Sequence, residues 1–261
     1  MKKILGIYSS SRQHRIGDGL LAHTLFSKRM LGQHVSPFLL LDHVGSADST
    51  APDVCARQLY RGCKVLTMVQ QGRLEYVDAD GKKQVLNPGD VQYRSVTAEQ
   101  DAGIYRPAAN PNRSGKREVS PHVLQLWIDA PTQASLSCTG KTVAADKIPS
   151  IALPDGAGSI RVIAGDCLNR RGAMPTTSAF DVWELQLNSR CTSEFKTVEG
   201  RTLLLAILSG SVLINGDHAA LGGEVVMLDR PGSGLFLETR ADTTALLLSG
   251  DPLDVGSAVL Q

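Results

Sequence analysis

The sequence predicts an all-β protein made of two β-barrels. Short runs of β-forming residues alternate with turn signals, and long segments with helical periodicity are absent. Residues 23–31 are the one segment where a turn or two of helix is expected. A strand–glycine–strand–turn unit occurs near residue 70 and again near residue 210, which indicates a duplicated domain.

The first unit starts with a β-rich run at residues 65–76. Residues 78–81, Asp-Ala-Asp-Gly, predict a hairpin turn because Gly81 accepts a positive φ. A second turn, Pro-Gly-Asp at 88–90, precedes a short strand at 91–93.

The second unit repeats this order near the carboxyl end. An apolar strand, Gly210 and an alternating strand fill residues 207–214, and Gly-Gly-Glu-Val-Val follows at 222–226. We therefore expect one barrel over residues 1–140 and another over 141–261, joined by the Ser-, Thr-, Pro- and Ala-rich linker at about 131–154.

Composition excludes several classes of protein. Apolar residues make up 42% of the chain and charged residues 20%, as in an ordinary globular protein. The net charge is +1, which argues against a nucleic-acid partner held on a basic face. The longest uncharged stretch, residues 202–216, is shorter than the roughly 20 apolar residues of a membrane span, so no membrane partner is expected.

Cysteine usage indicates a reducing compartment. The five cysteines are an odd number, and none of them forms a Cys-x-x-Cys pair. A cytoplasmic location is the best fit, and zinc is not indicated.

The order strand, glycine, strand, turn and Pro-Gly-Asp is typical of the cupin barrel, a small jelly roll. Two such units predict a bicupin, meaning two tandem cupin barrels of the RmlC-like type. Over residues 12–154 the chain resembles the pirin family more specifically. The matching segments lie at 35–42, 61–62 (Arg-Gly), 88–92 (Pro-Gly-Asp-Val-Gln), 124–128 (Leu-Gln-Leu-Trp-Ile) and 148–149 (Ile-Pro). The resemblance implies similarity to quercetin 2,3-dioxygenases, or a role as a transcriptional cofactor.

The chain departs from that family at the metal ligands. Metal-binding pirins carry His-Pro-His before Arg-Gly, whereas this chain has Gln58, Leu59 and Tyr60 there. The family also supplies a third His and a Glu after its second motif. An ungapped match places Ala102 and Ile104 at those positions.

An alternative match with a four-residue insertion places Arg106 at the third His and Ala108 at the Glu. Neither alignment supplies a ligand. A 3-His/1-carboxylate iron site cannot be built from Gln, Tyr and Arg, because a guanidinium only donates hydrogen bonds and repels a cation.

The second barrel offers no substitute, since Lys196 and Val198 occupy the corresponding positions. No two of the six histidines lie within five residues of each other. His43 is the most tempting single ligand, but we interpret it as an imidazole with a hydrogen-bond partner.

Two functional hypotheses follow. The first is a pirin-like bicupin that has lost its metal site, has no cofactor, is non-catalytic and binds a small anionic ligand or a protein partner. The second is a quercetin 2,3-dioxygenase-like oxidoreductase that holds Fe or another divalent transition metal through unrecognised ligands. Catalytic residues are not assigned under either hypothesis.

The candidate ligand-binding residues surround the former metal position of the first barrel. If Arg106 points into that barrel, its charge suits a carboxylate or another anion. The candidate residues are Gln58, Tyr60, Gln92, Tyr105 and Arg106.

Overall fold

A computed structural model describes residues 1–9, 13–15, 20–46, 62–78, 80–96, 104–109, 119–129, 140–174 and 179–253. These ranges consist mainly of strands and turns. In them, α-helix is confined to Lys28–Leu31, at the end of the segment where a helical turn was expected, and 3-10 turns occur at Gly32–Val35, Ala145–Lys147 and Pro154–Gly156. Among the described residues, no helix combines the length and hydropathy needed to span a bilayer.

The strands are named in chain order. The amino-terminal strands are β1 (Ile4–Ser9), β2 (Gln13–Arg15), β3 (Leu20–Ser27), β4 (Phe38–Ser46), β5 (Cys63–Gln71), β6 (Leu74–Val77), β7 (Lys83–Leu86), β8 (Val91–Val96), β9 (Ile104–Pro107), β10 (His122–Asp129) and β11 (Lys141–Val143). The carboxyl-terminal strands are β12 (Ser150–Ala152), β13 (Gly158–Ala164), β14 (Asp166–Cys167), β15 (Arg170–Arg171), β16 (Phe180–Leu187), β17 (Thr192–Lys196), β18 (Thr202–Ser209), β19 (Ser211–Ile214), β20 (His218–Leu221), β21 (Glu224–Leu228), β22 (Gly234–Thr239) and β23 (Thr243–Gly250).

The chain folds into two compact units. The first barrel comprises Ser11–Thr24 and Phe38–Ala145, and the second comprises Met1–Ser10, Leu25–Pro37 and Asp146–Gln261. This division differs from a single cut near residue 140, because two amino-terminal segments join the carboxyl-terminal unit. The reason for Met1–Ser10 is strand pairing, since β1 lies antiparallel to β21.

The first barrel combines two sheets. The larger has seven strands in the order β11-β8-β5-β10-β4-β3-β2, and the smaller has the order β7-β6-β9. The hairpin turn predicted at 78–81 is confirmed: Asp78 Oδ1 accepts hydrogen bonds from the backbone N–H groups of Asp80 (3.1 Å) and Lys82 (2.8 Å), and Gly81 has a φ of +79°.

The second barrel has a seven-stranded sheet, β1-β21-β18-β23-β16-β13-β12, and a four-stranded sheet, β17-β22-β19-β20. Its interior is packed with apolar side chains. Trp183, Leu247, Leu205 and Val226 lie directly opposite one another across four neighbouring strands, and all four belong to one buried cluster. The corresponding row of the first barrel contains polar side chains.

Candidate functional site

A row of buried polar side chains crosses the large sheet of the first barrel. Asp42 lies opposite Gln125, Gln125 opposite Thr67, and Thr67 opposite Gln92. Residues directly opposite in a sheet share a face. This face is the inner one, because the residues two positions from Asp42, Gln125 and Thr67 on the same strands belong to the buried core. Those core residues are Val44, Val123 and Val69. We call these four residues the polar row.

The polar row contrasts with the apolar row of the second barrel. Burial of a polar side chain costs free energy unless it is hydrogen-bonded, whereas burial of Leu or Val is favourable. Each residue of the polar row is at most 4% exposed. The interiors of the two barrels therefore differ in polarity along this row.

Tyr105 joins the polar row to the smaller sheet. Its phenol oxygen lies 3.1 Å from Thr67 Oγ1 and donates a 2.9 Å hydrogen bond to Gln92 Oε1. The amide of Gln92 donates in turn to Gln84 Oε1 on β7, at 3.3 Å. The two sheets are therefore connected inside the barrel by neutral polar groups.

Arg94 adds a positive charge to this interior. It follows Gln92 by two residues on β8, so both side chains are on the inner face. Its Nη1 donates a 2.9 Å hydrogen bond to Tyr76 Oη, and its guanidinium carbon lies 4.5 Å from the Tyr76 ring centroid. Burial raises the pKa of Tyr76 above its usual value, which keeps the phenol neutral at pH 7.

A cavity of about 410 Å³ opens beside Arg94. Tyr76, Gln92 and Arg94 are its buried wall, and charged residues of the β6–β7 hairpin, within 78–83, are its exposed rim. The inner wall therefore offers a permanent cation and several neutral hydrogen-bonding groups to a ligand.

The structure brings together only part of the predicted site. Gln92 and Tyr105 are in contact, whereas Gln58 and Tyr60 lie outside the described residues. Arg106 differs from the expectation. It lies opposite Glu75, and its neighbour Tyr105 lies opposite Tyr76, so the alternation of β9 places Arg106 on the face away from the interior. The arginine that lines the cavity is therefore Arg94 and not Arg106.

Sequence reasoning missed Arg94 because the predicted strand ended at residue 93, whereas β8 continues to Val96. The available signal was the two-residue spacing from Gln92 to Arg94.

The described part of the inner face does not supply the metal ligands that the pirin resemblance implies. In the described ranges, no group of three or more His, Cys, Asp or Glu side chains is arranged to hold a metal ion. The donors around the cavity wall are amide and phenol groups, and the Arg94 guanidinium repels a cation. In the second barrel, Val198 occupies a position that corresponds to a ligand histidine. Its side chain is 51% exposed and does not point into the core.

Asp42, at one end of the polar row, is held by two residues that the sequence did not single out. Thr24 Oγ1 donates to Asp42 Oδ1 at 2.8 Å, and His14 Nε2 lies 3.2 Å from Asp42 Oδ2. These contacts satisfy a carboxylate that is 1% exposed.

His43 has the imidazole of His122 as its neighbour. Its ring centroid lies 5.7 Å from that of His122 across the β4–β10 pair. Burial, followed by the nearby His122 and His23, lowers the pKa of His43 below its usual value. The folded state thus favours the neutral imidazole.

We expect this pair to make stability depend on pH. Below about pH 6.5 the unfolded chain binds a proton at His43 more readily than the folded chain does. The contribution of His43 to the free energy of unfolding is therefore fully present above that pH and falls as the pH drops below it. Urea denaturation at pH 7.5 and 5.5 should show a smaller loss for His43→Gln than for the wild type. His218→Gln is the control, because His218 is 53% exposed at the start of β20 and its replacement should leave the loss unchanged. An equal loss in the wild type and His43→Gln would contradict this assignment.

Comparison with known proteins gives consistent likenesses. The Pirin family model matches residues 21–128. A Pseudomonas aeruginosa protein named "Putative quercetin 2,3-dioxygenase" is 35% identical over 97% of this chain and 88% of its own length. A "Pirin-like protein" of Caulobacter vibrioides is 27% identical, covering 86% of this chain and 80% of its own.

Solved structures extend the likeness to the fold. A quercetin 2,3-dioxygenase from Acinetobacter baumannii superposes with a TM-score of 0.81 at 30% identity, covering 97% of this chain and 88% of its own. The bacterial pirin YhhW from Escherichia coli, solved with nickel(II), has a TM-score of 0.66 at 18% identity, covering 95% of this chain and 100% of its own. These likenesses confirm the predicted all-β bicupin fold.

Proposed function

Because this chain belongs to the pirin family, we propose that it is a pirin-like bicupin whose first barrel binds a small organic anion without a metal. The observation that carries the proposal is Arg94, which lines the 410 Å³ cavity beside Gln92 and Tyr76. A guanidinium matches a carboxylate with two parallel N–H···O bonds, and its charge opposes a metal cation at the same place.

The same wall supports a non-catalytic role. Amide, phenol and guanidinium groups can orient a ligand by hydrogen bonds, but they neither transfer electrons nor activate oxygen by themselves. The protein would therefore act through the ligand that it holds, either by carrying it or by presenting a changed surface to a protein partner. No nucleic acid, membrane or cofactor is part of this proposal.

A reducing, cytoplasmic setting completes the proposal. Cys167 and Cys191 form no disulfide. Burial raises the pKa of Cys63 to about 12 and that of Cys167 to about 11, so both are protonated and unreactive at neutral pH.

The second candidate is a metal-dependent oxidoreductase of the quercetin 2,3-dioxygenase type. It is favoured by the 35% identical relative that carries this name. Under this alternative, a divalent metal such as Fe would be held by ligands that include residues beyond the described ranges.

Metal content separates the two candidates. Protein purified without added metal should contain at most about a tenth of an equivalent of Fe, Ni, Mn, Cu or Zn by mass spectrometry, because the described buried wall beside Arg94 consists of amide, phenol and guanidinium groups. The variant carrying Gln58→His and Tyr60→His supplies only two imidazoles and should bind these metals weakly at best. A stoichiometric metal in the wild type, together with oxygen uptake on addition of quercetin, would overturn the proposal in favour of the oxidoreductase.

A further inference from the structure

We infer that the ligand of the first barrel is a polyhydroxylated monocarboxylic acid of about the size of a uronic acid, with its carboxylate on Arg94. This inference rests on the proposed anion site and specifies its ligand. Three properties of the cavity lead to it: the size, the polarity of the walls and the distribution of charge.

The size excludes both very small and very large ligands. A cavity of about 410 Å³ lies near the lower end of the range for small-molecule sites. It can accommodate on the order of a dozen non-hydrogen atoms together with some water. Acetate would leave most of the polar wall without a partner, and a long chain would not fit.

The walls are unusually polar for such a site. Ligand pockets are lined mainly by apolar and aromatic side chains. Here the described lining contains no aliphatic side chain, and Tyr76 is its one aromatic residue. Gln84 and Gln92 hydrogen-bond to each other, and each amide can make further hydrogen bonds toward a ligand. A ligand rich in hydroxyl groups matches such a polar wall better than a flat apolar ligand, which would cover polar groups without bonding to them.

The charges around the cavity indicate that the ligand carries one negative group and not several. Arg94 is the buried cation of the wall, at 5% exposure. At the rim, Asp78 and Asp80 are balanced by Lys82 and Lys83, so the rim has no net charge. Its carboxylates can accept hydrogen bonds from hydroxyl groups of a ligand. A single carboxylate inside, with hydroxyls toward the rim, fits this arrangement.

A calorimetric comparison of simple ligands tests the inference. The panel is D-glucuronate, D-glucose, cyclohexanecarboxylate and quercetin, each titrated into the full-length protein. D-glucuronate should bind at least about tenfold more tightly than either cyclohexanecarboxylate or D-glucose, because only D-glucuronate uses both the cation and the polar walls.

A variant isolates the contribution of the hydroxyl groups. Gln84 is exposed on β7 and lines the cavity, so Gln84→Leu should fold normally and lower the affinity for D-glucuronate about fivefold to tenfold. Its affinity for cyclohexanecarboxylate should not fall. The matched control is Gln186→Leu, at an exposed position of β16 in the second barrel, which should change neither affinity.

The outcomes distinguish this inference from the proposed function. Equal affinities for D-glucuronate and cyclohexanecarboxylate would overturn the inference and leave the anion site intact. Tighter binding of quercetin than of D-glucuronate would overturn it in favour of the oxidoreductase. Equal binding of D-glucose and D-glucuronate, or no binding of any member of the panel, would overturn both the inference and the proposed anion site.

Discussion

Arg94→Gln is expected to weaken carboxylate binding by the first barrel about a hundredfold. The substitution removes a charge that lines the cavity at 5% exposure, where a charge-assisted pair is screened little by water. Removal of one partner of a buried ion pair costs about 2–5 kcal/mol, and about 2.7 kcal/mol corresponds to a hundredfold change in Kd.

Two further variants distinguish charge from geometry and position. Arg94→Lys keeps the charge but loses the planar pair of donors, so a loss of about tenfold is expected. Arg106→Gln removes a positive charge from the outer face of β9 in the same barrel, where Arg106 lies opposite Glu75. This variant should change the affinity little.

Calorimetric titration with D-glucuronate measures all three affinities, and thermal unfolding checks that each variant is folded. An affinity loss in Arg106→Gln that equals the loss in Arg94→Gln would show that this wall does not select the anion. If Arg94→Lys and Arg94→Gln both fold and both bind D-glucuronate with wild-type affinity, Arg94 is not part of the site.

Gly210→Ala should be the most destabilising of the glycine substitutions that the sequence repeat suggests. Gly210 connects β18 to β19 with a φ of +83°. A Cβ atom there would lie 2.3 Å from the backbone oxygen of Asp242 and 2.5 Å from Thr243 Oγ1. The left-handed conformation alone costs an L-residue about 1–2 kcal/mol, and the overlap with backbone adds to it, so we expect a loss of about 3 kcal/mol.

Gly216→Ala is the matched control in the next turn of the same barrel. Gly216 has a similar φ of +76°, but a Cβ there would meet nothing within 4 Å. Its expected loss is therefore only about 1–2 kcal/mol. Urea denaturation, fitted to separate transitions if the two units unfold independently, measures both variants. Equal losses would contradict the steric part of this argument.

The repeat that revealed Gly210 shows what local pattern can establish. Gly72 stands at the same place in the first unit, with a φ of +71°, and a Cβ there would lie 2.7 Å from Pro121 Cα. The turn at 78–81 was also predictable, because Asp78 and Gly81 satisfy its backbone within four residues. The all-β class rests on such short-range signals.

The candidate site was predictable only in part. Gln92 and Tyr105, two of the predicted ligand-binding residues, lie in contact, whereas Arg106 lies opposite Glu75 and not inside the barrel as expected. On a strand, a shift of one residue exchanges the inner and outer faces. An alignment across a segment of uncertain length does not determine which residues of β9 face inward. The pairing of Tyr105 with Tyr76 determines it.

Local sequence pattern is enough to predict the strand class, the duplicated unit, the turns and the pirin resemblance, since each depends on residues close together in the chain. The assignment of β1 to the second barrel, and the row formed by Asp42, Gln125, Thr67 and Gln92, required the folded structure. Those four residues come from strands far apart in sequence. Their juxtaposition depends on the register of long-range pairs, which the whole barrel selects when it buries its apolar faces.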